Sequence, residues 1–114
     1  VERVVPFERS VKIAGRSGRS WIVDFQARTP DRTSLVSVLS SGSKAAARRV
    51  TEHVVATWHD LSHLRMGGPQ MSFVSLFDDT TDIWSDEDFR LVDDLSEVQL
   101  WSRPDEFIDY LKAA

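Results

Sequence analysis

The chain of 114 residues contains no cysteine. This absence excludes disulfide bonds, thiol nucleophiles, iron–sulfur clusters and zinc sites with thiolate ligands. It suits a reducing compartment, and we expect the protein to be cytoplasmic. No apolar run approaches the roughly 20 residues that a membrane-spanning helix requires, so we expect no contact with a membrane.

The beginning of the chain also lacks the features of a targeting sequence. Four of the first ten residues are charged, which is unlike the apolar segment of a secretory signal peptide. The first residue is Val1 and not methionine, so we expect the chain to be the C-terminal part of a longer protein. Its length suits a single domain over residues 1–114 with one hydrophobic core.

Each half of the chain has little charge of one sign. Residues 1–65 carry 11 Lys and Arg against 6 Asp and Glu, whereas residues 66–114 carry 3 against 12. The net charge of −4 therefore conceals a basic half and an acidic half. Such opposed fields favour charged partners or head-to-tail contacts between copies, and they carry no information about the fold.

Apolar periodicity and turn residues predict eight secondary-structure elements. β-rich runs at 11–14 and 21–27 are separated by two glycines, which predicts a hairpin. The other elements are a strand at 34–39, a helix from a Ser43 N-cap to about residue 64, a strand at 71–77, a helix starting at Ser85, a strand at 97–101 and a helix starting at Ser102.

The long helix has an apolar stripe with three- and four-residue spacing, formed by Ala47, Val50, Val54, Trp58 and Leu61. We expect this stripe to pack against the sheet that contains Val74, Leu76 and Val98. The strand at 71–77 is apolar throughout, which predicts burial on both faces. The order β-β-β-α-β-α-β-α predicts an α/β domain, in which a mixed sheet with an N-terminal antiparallel meander is flanked by helices.

Two segments of the acidic half carry a family resemblance. MSFVSLFDD at 71–79 and VQLWSRPDEFIDYL at 98–111 together resemble a bacterial and prophage family catalogued as domain of unknown function eighteen twenty-nine. GRSGRSWIVDF at 15–25 is similar to the family's early glycine turn, and Trp58-His59-Asp60 is similar to its W-E-D sequence. Phe77 departs from the family, which usually has Asn there. The resemblance implies a C-terminal domain of a larger protein and brings no established activity.

The predicted order is also loosely similar to the core of restriction-type endonucleases. In those folds an acid on the second strand and an acid-x-Lys on the third hold Mg²⁺ against the scissile phosphate. Asp24 lies on the second strand, but the third strand has neither acid nor lysine. One interpretation is a divergent catalytic site completed by Asp78 or Asp79. The other, which we favour, is a structural Asp24 paired with Arg28 or Arg19.

His59 and His63 lie four residues apart on one helix face, as in the zinc motif H-E-x-x-H, with Asp60 in place of the glutamate. A catalytic zinc ion needs three protein ligands, and no third ligand has a recognisable spacing. We therefore expect no metal at these histidines. His63 is interpreted as a cation that complements the helix dipole.

The segment 40–44 joins a strand to a helix, a place where backbone amides are able to bind an anion. It lacks the spacing of a P-loop, so we interpret Ser43 as a simple N-cap. Lys44, Arg48 and Arg49 lie in the first turns of the helix, where the dipole disfavours cations. Their position indicates an anionic partner.

The acidic half contains a cluster formed by Asp78, Asp79, Asp82, Asp86, Glu87 and Asp88. The spacing of a calcium-binding EF-hand is absent, and we expect most of these acids to serve as turn and cap residues. The alternative is Mg²⁺ binding at the two acids that follow the strand at 71–77, because such sheets bind ligands at the carboxyl ends of their strands.

The basic half offers candidate contacts to nucleic acid at Arg16, Arg19, Lys44, Arg48 and Arg49. Our leading hypothesis is a non-catalytic interaction module that binds a protein partner or an adjacent domain and contacts nucleic acid. The alternatives are a divergent Mg²⁺-dependent nuclease and an acidic protein that binds a basic partner. Self-association into homo-oligomers stays open, and no cofactor motif is present.

Overall fold

The computed structural model describes residues 7–29, 32–62, 71–80 and 82–112. Its elements follow the predicted order and are, along the chain, β1 (Phe7–Ala14), β2 (Ser20–Thr29), β3 (Arg32–Leu39), α1 (Lys44–Leu61), β4 (Met71–Phe77), α2 (Asp86–Asp93), β5 (Glu97–Leu100) and α3 (Pro104–Lys112). The first two strands are longer than predicted. The last two residues predicted for α1 lie outside the described residues.

The five strands form one mixed sheet whose spatial order equals their order in the chain, β1-β2-β3-β4-β5. β1, β2 and β3 pair antiparallel, with Val11 opposite Val23 and Phe25 opposite Val36. β3, β4 and β5 pair parallel, with Val36 beside Val74. The predicted α/β class and mixed sheet are confirmed.

Helices cover both faces of the sheet. α1 and α2 pack on one face, where Trp58 and Val92 join the larger apolar cluster with Phe73 and Phe77. α3 packs on the other face, where Leu111 joins a smaller cluster with Val36, Val74 and Leu76. β4 is therefore buried from both sides, as predicted.

The predicted packing of the inner face of α1 on the sheet that contains Val74, Leu76 and Val98 is confirmed. Trp58 is fully buried and stacks on Phe73, with the ring centroids 4.5 Å apart. Its indole N–H donates to Ser75 Oγ at 3.0 Å. Val74 and Leu76 alternate with these residues along β4 and point to the opposite face, because successive side chains of a strand alternate between faces.

The N-cap expected for α1 is present, and α2 begins after Ser85 as predicted. Ser43 Oγ accepts from Ala46 N–H at 3.1 Å, as a simple cap of α1. Ser85 and Asp88 form a capping box at the start of α2. Such caps satisfy backbone N–H groups that have no partner inside the helix.

At the middle of the β1–β2 hairpin, the side chains of one face change from packing against α1 to packing on the α3 side of the sheet. Trp21 and Val23 join the α1 cluster, whereas Phe25 and Ala27 pack on the α3 side, although all four positions have the same parity. Opposite this point, Ser10 has a φ of 52°. The outer part of the hairpin consequently leaves the sheet and folds over α1.

No helix among the described residues is long and apolar enough to cross a membrane.

Candidate functional site

The outer part of the hairpin forms a two-stranded ribbon beyond the end of β3. β2 begins to pair with β3 only at Phe25, so Val11–Ala14 and Ser20–Val23 of the ribbon have no third strand beside them in the described sheet. One face of the ribbon packs on α1. The other face and the turn expose Lys12, Arg16 and Arg19, together with Ile22, which is 67% exposed.

Asp60 fixes the tip of this ribbon to the last turn of α1. Its carboxylate accepts from Ser17 N at 2.9 Å, from Ser17 Oγ at 2.6 Å and from the indole N–H of Trp21 at 2.7 Å. Its carbonyl oxygen accepts from Arg16 N at 3.0 Å. Because four donors converge on one residue, the basic tip has a defined position on the molecule.

Gly15 makes this close approach possible. A Cβ atom at this position would lie 2.6 Å from Asp60 Cγ and 2.9 Å from Trp21 Nε1, so any other side chain would overlap them. Sequence reasoning missed the Asp60 tether. The available signals were the glycine turn, which was interpreted as a hairpin and a family feature, and the W-x-D segment, which was interpreted as a family feature and as part of a zinc motif.

Asp24 does not pair with Arg28 or Arg19, so the favoured interpretation of its partner is wrong. Its carboxylate accepts from Val38 N at 2.7 Å and replaces a backbone pairing where the hairpin leaves the sheet. Arg28 instead pairs with Glu8 at 3.5 Å, and the Arg19 guanidinium lies 4.5 Å from the Trp21 ring centroid. Asp24 thus makes a structural contact, but with the backbone of β3 and not with an arginine.

Asp78 and Asp79 lie at the carboxyl end of β4, where each accepts hydrogen bonds from the protein itself. Asp78 accepts from Thr80 Oγ1 at 2.6 Å and from Thr80 N at 3.2 Å. Asp79 accepts from Ser102 Oγ at 2.6 Å and from Ser102 N at 2.9 Å. The Thr80 and Ser102 hydroxyls lower the pKa of Asp78 and Asp79, respectively. The expectation that acids here serve turns is confirmed for this pair.

Asp24, Asp78 and Asp79 are not arranged as a metal site. The Asp24 carboxylate meets β3 at Val38 N, whereas the backbone of Asp78 donates to Leu39 O from the other side of β3. Within the described ranges, no group of three or more His, Cys, Asp or Glu side chains is arranged to hold a metal ion. His59 is exposed on α1, and His63 lies outside the described residues.

The cations at the start of α1 have different surroundings. Arg48 Nε donates to Asp88 at 2.8 Å, and its Nη2 donates to Glu87 at 2.9 Å. For Arg48, the anionic partner that the sequence indicated is thus supplied by α2. Lys44 and Arg49 are exposed.

Burial alone would raise the pKa of Asp88, but hydrogen bonds from Ser85 N–H and the Arg48 guanidinium outweigh this effect and lower it. Its side chain is only 4% exposed. The Arg48–Asp88 ion pair therefore holds α1 and α2 together as a structural link, and Arg48 is committed to it.

The five candidate nucleic-acid contacts do not form one patch. Arg16 and Arg19 lie at the ribbon tip beside Asp60, whereas Lys44, Arg48 and Arg49 begin the same helix that Asp60 nearly ends. At about 1.5 Å per helical residue, the two groups are roughly 20 Å apart along α1. Arg16 and Arg19 at the ribbon tip instead form a group with Lys12, which lies on the same ribbon.

Two clefts of about 370 and 260 Å³ lie elsewhere on the surface. The larger is lined by the amino ends of β4 and β5 and by Tyr110, and the smaller lies between the N-termini of α1 and α2. Arg48 and Asp88, which line the smaller cleft, bond to each other.

Comparison of the chain with protein-family models, with curated proteins and with solved structures finds no match.

Proposed function

We propose that this domain is a non-catalytic interaction module that binds nucleic acid through the basic face of its β1–β2 ribbon. The observation that supports this is the sequential strand order, which brings the basic strands to one edge of the sheet. Residues 7–29 carry five Lys and Arg against two Asp and Glu. A phosphate backbone is the polyanion that such an edge fits.

The shape of the ribbon supports the same partner. Two antiparallel strands are narrow enough to enter the major groove of a B-form duplex. The Asp60 tether holds the ribbon tip to α1, so the backbone that carries the basic side chains is positioned before binding. Pre-positioned groups lose less conformational freedom on association.

The proposal also includes the wider setting expected from the sequence. The domain would belong to a larger bacterial or prophage protein of the family catalogued as domain of unknown function eighteen twenty-nine. It would act in the cytoplasm, where nucleic acid is available. An adjacent domain or protein partner would contribute the remaining affinity.

The test is a salt titration of binding to a fluorescent DNA duplex, followed by anisotropy. Affinity should fall steeply as salt rises, because each neutralised phosphate releases counterions. Lys12→Ala/Arg16→Ala should weaken binding and reduce the slope of log K against log salt by about two, since each phosphate contact contributes about 0.9.

Arg90→Ala/Arg103→Ala is the matched control, since it removes the same charge from exposed positions of the acidic half. It should leave the salt slope unchanged. Lys44→Ala/Arg49→Ala tests the start of α1 in the same way. Absence of binding at low salt, or equal losses in the ribbon variant and the control, would refute the proposal.

A further inference from the structure

The edge of the sheet opposite the ribbon is acidic. We define the acidic edge as the exposed acids of the last part of the chain: Asp93, Asp94, Glu97, Asp105, Glu106 and Asp109. Of the nearby cations, Arg103 is paired with Glu106 at 3.3 Å. Residues 93–112 carry six Asp and Glu against two Lys and Arg. This edge therefore has a strong negative field.

Both charged edges also expose apolar side chains. Among the described residues, the large hydrophobic side chains with high exposure are Ile22 at 67%, Trp101 at 54% and Ile108 at 41%. Ile22 lies opposite Lys12 on the ribbon. Ile108 lies on α3 between Asp105 and Asp109. Apolar contacts surrounded by charged groups are typical of protein–protein interfaces, in which a dry centre has a polar rim.

The two edge strands of the sheet do not meet within one molecule. β1 and β5 are the opposite ends of the strand order, with three strands between them. Four inter-strand spacings of about 4.8 Å separate them by roughly 19 Å. Ile22, Lys12 and Arg16 on the ribbon and Ile108, Asp105 and Asp109 on α3 are exposed, so these groups are accessible to another molecule.

We propose that the acidic edge binds the basic ribbon of a second copy of this domain. Ile22 of one copy would contact Trp101 and Ile108 of the next, and Lys12 and Arg16 would face Asp105 and Asp109. Because the two surfaces differ, the contact is heterologous and repeats head to tail. It leaves a free ribbon at one end of each chain of copies and a free acidic edge at the other.

Side chains, and not backbone pairing, carry this contact. β1 is kinked at Ser10 and carries Lys12, and β5 has only four residues. Kinks, charged side chains and short edge strands are features that resist strand-to-strand pairing. A contact built on charge should weaken as salt rises, because salt screens exposed charges.

The test is sedimentation velocity of nuclease-treated protein, so that no nucleic acid contributes and failure of the proposed function would not affect the result. The mean mass should rise with protein concentration at low salt and return to that of the monomer at high salt. A monomer at every concentration in low salt would refute the contact. So would association that salt does not weaken.

Charge exchange identifies the surfaces. Lys12→Glu/Arg16→Glu and Asp105→Lys/Asp109→Lys should each be monomeric, because each places like charges on both edges. An equimolar mixture should associate again, since the unchanged ribbon of one variant meets the unchanged acidic edge of the other. Recovery in the mixture would also show that both variants are folded. Association of either variant alone, or a monomeric mixture, would overturn the proposal.

Ile22→Ser tests the apolar centre without changing charge. It should shift self-association to higher protein concentration by about tenfold or more, as expected for an apolar anchor at an interface. Ile22 is exposed, so the fold should be unaffected. An unchanged concentration dependence would contradict the proposed arrangement of the contact.

Discussion

Each of the acids Asp24, Asp60, Asp78, Asp79 and Asp88 accepts a hydrogen bond from a backbone N–H group. These N–H groups lie in turns, at a helix cap or where strand pairing stops. A backbone N–H group without a partner is costly to bury, and a carboxylate is a strong acceptor for it. The acids that resemble metal ligands in the sequence thus serve as hydrogen-bond acceptors for backbone N–H groups.

Gly15→Ala should destabilise the protein by about 1–3 kcal/mol, the usual cost of overpacking a tight contact. The added Cβ would displace the Asp60 carboxylate and the Trp21 indole. Chemical denaturation at neutral pH measures the change. Gly42→Ala is the control, because no atom lies within 4 Å of its added Cβ. Equal stability of the Gly15 variant and wild type would contradict the tether.

Asp88→Asn should lower stability at pH 7 by about 1.5–3 kcal/mol, the usual value of hydrogen bonds to a charged group. The folded-state pKa of Asp88 lies below its ordinary value of about 3.9. Its contribution is therefore fully present above about pH 4 and is lost as pH falls through the lowered pKa.

The stability difference between Asp88→Asn and wild type should accordingly shrink in acid. Urea unfolding at pH 7 and at several values below pH 4 follows this difference. Asp86→Asn is the control, because Asp86 lies in the same helical turn but is exposed. A difference that stays constant with pH would show that ionisation of Asp88 does not stabilise the fold.

Helix α1 owes its position to one buried aromatic residue and a line of hydroxyl groups. The indole N–H of Trp58 donates to Ser75 Oγ, which lies 2.7 Å from Ser96 Oγ. Ser96 Oγ donates in turn to Val92 O at 2.8 Å. This line connects α1 through β4 to the end of α2, so that every polar atom in it has a partner in the core.

Trp58→Ala should destabilise the protein by about 3–5 kcal/mol, because it opens a large cavity in the core. It also removes the donor to Ser75. Thermal and denaturant unfolding measure the loss. Trp101→Ala, at an exposed tryptophan, should change stability by no more than about 0.5 kcal/mol. An unchanged melting temperature for the Trp58 variant would show that the inner face of α1 is wrongly assigned.

The molecule as a whole has a charge asymmetry because its sheet keeps the order of the chain. A strand order that interleaved the two halves would place acidic and basic strands side by side and cancel most of the field. Here the two halves lie at opposite edges. Both proposed contacts depend on this arrangement, and each is sensitive to salt for the same reason.

The purified domain should not cleave DNA or RNA in the presence of Mg²⁺ or Mn²⁺. Asp24 and Asp78 bond to opposite sides of β3, and β3 has neither acid nor lysine to complete a metal site. Incubation with supercoiled plasmid and with labelled RNA tests this. Metal-dependent cleavage that disappears in Asp24→Asn would establish the divergent nuclease instead.

The local features of this fold were predictable from the sequence. The glycine turn, the stripe on α1, the Ser43 cap, the start of α2 at Ser85 and the apolar β4 all depend on residues a few positions apart. Hydrophobic period and capping chemistry act over that distance, so the order of elements and the α/β class followed from them. The sequence also showed the charge asymmetry, but it did not show where the basic half and the acidic half of the chain would lie in the molecule.

The partners of the charged side chains were decided only by the tertiary structure. Asp60 lies 43 positions from Ser17, and Arg48 lies 40 positions from Asp88. Such contacts depend on which strands are neighbours and where the hairpin turns over, and periodicity carries no information about either. The same packing turned Val74 and Leu76 towards α3, bonded Asp24 to β3 and separated Arg16 from Arg49. The residues grouped in the candidate site therefore changed, whereas the predicted secondary-structure elements did not.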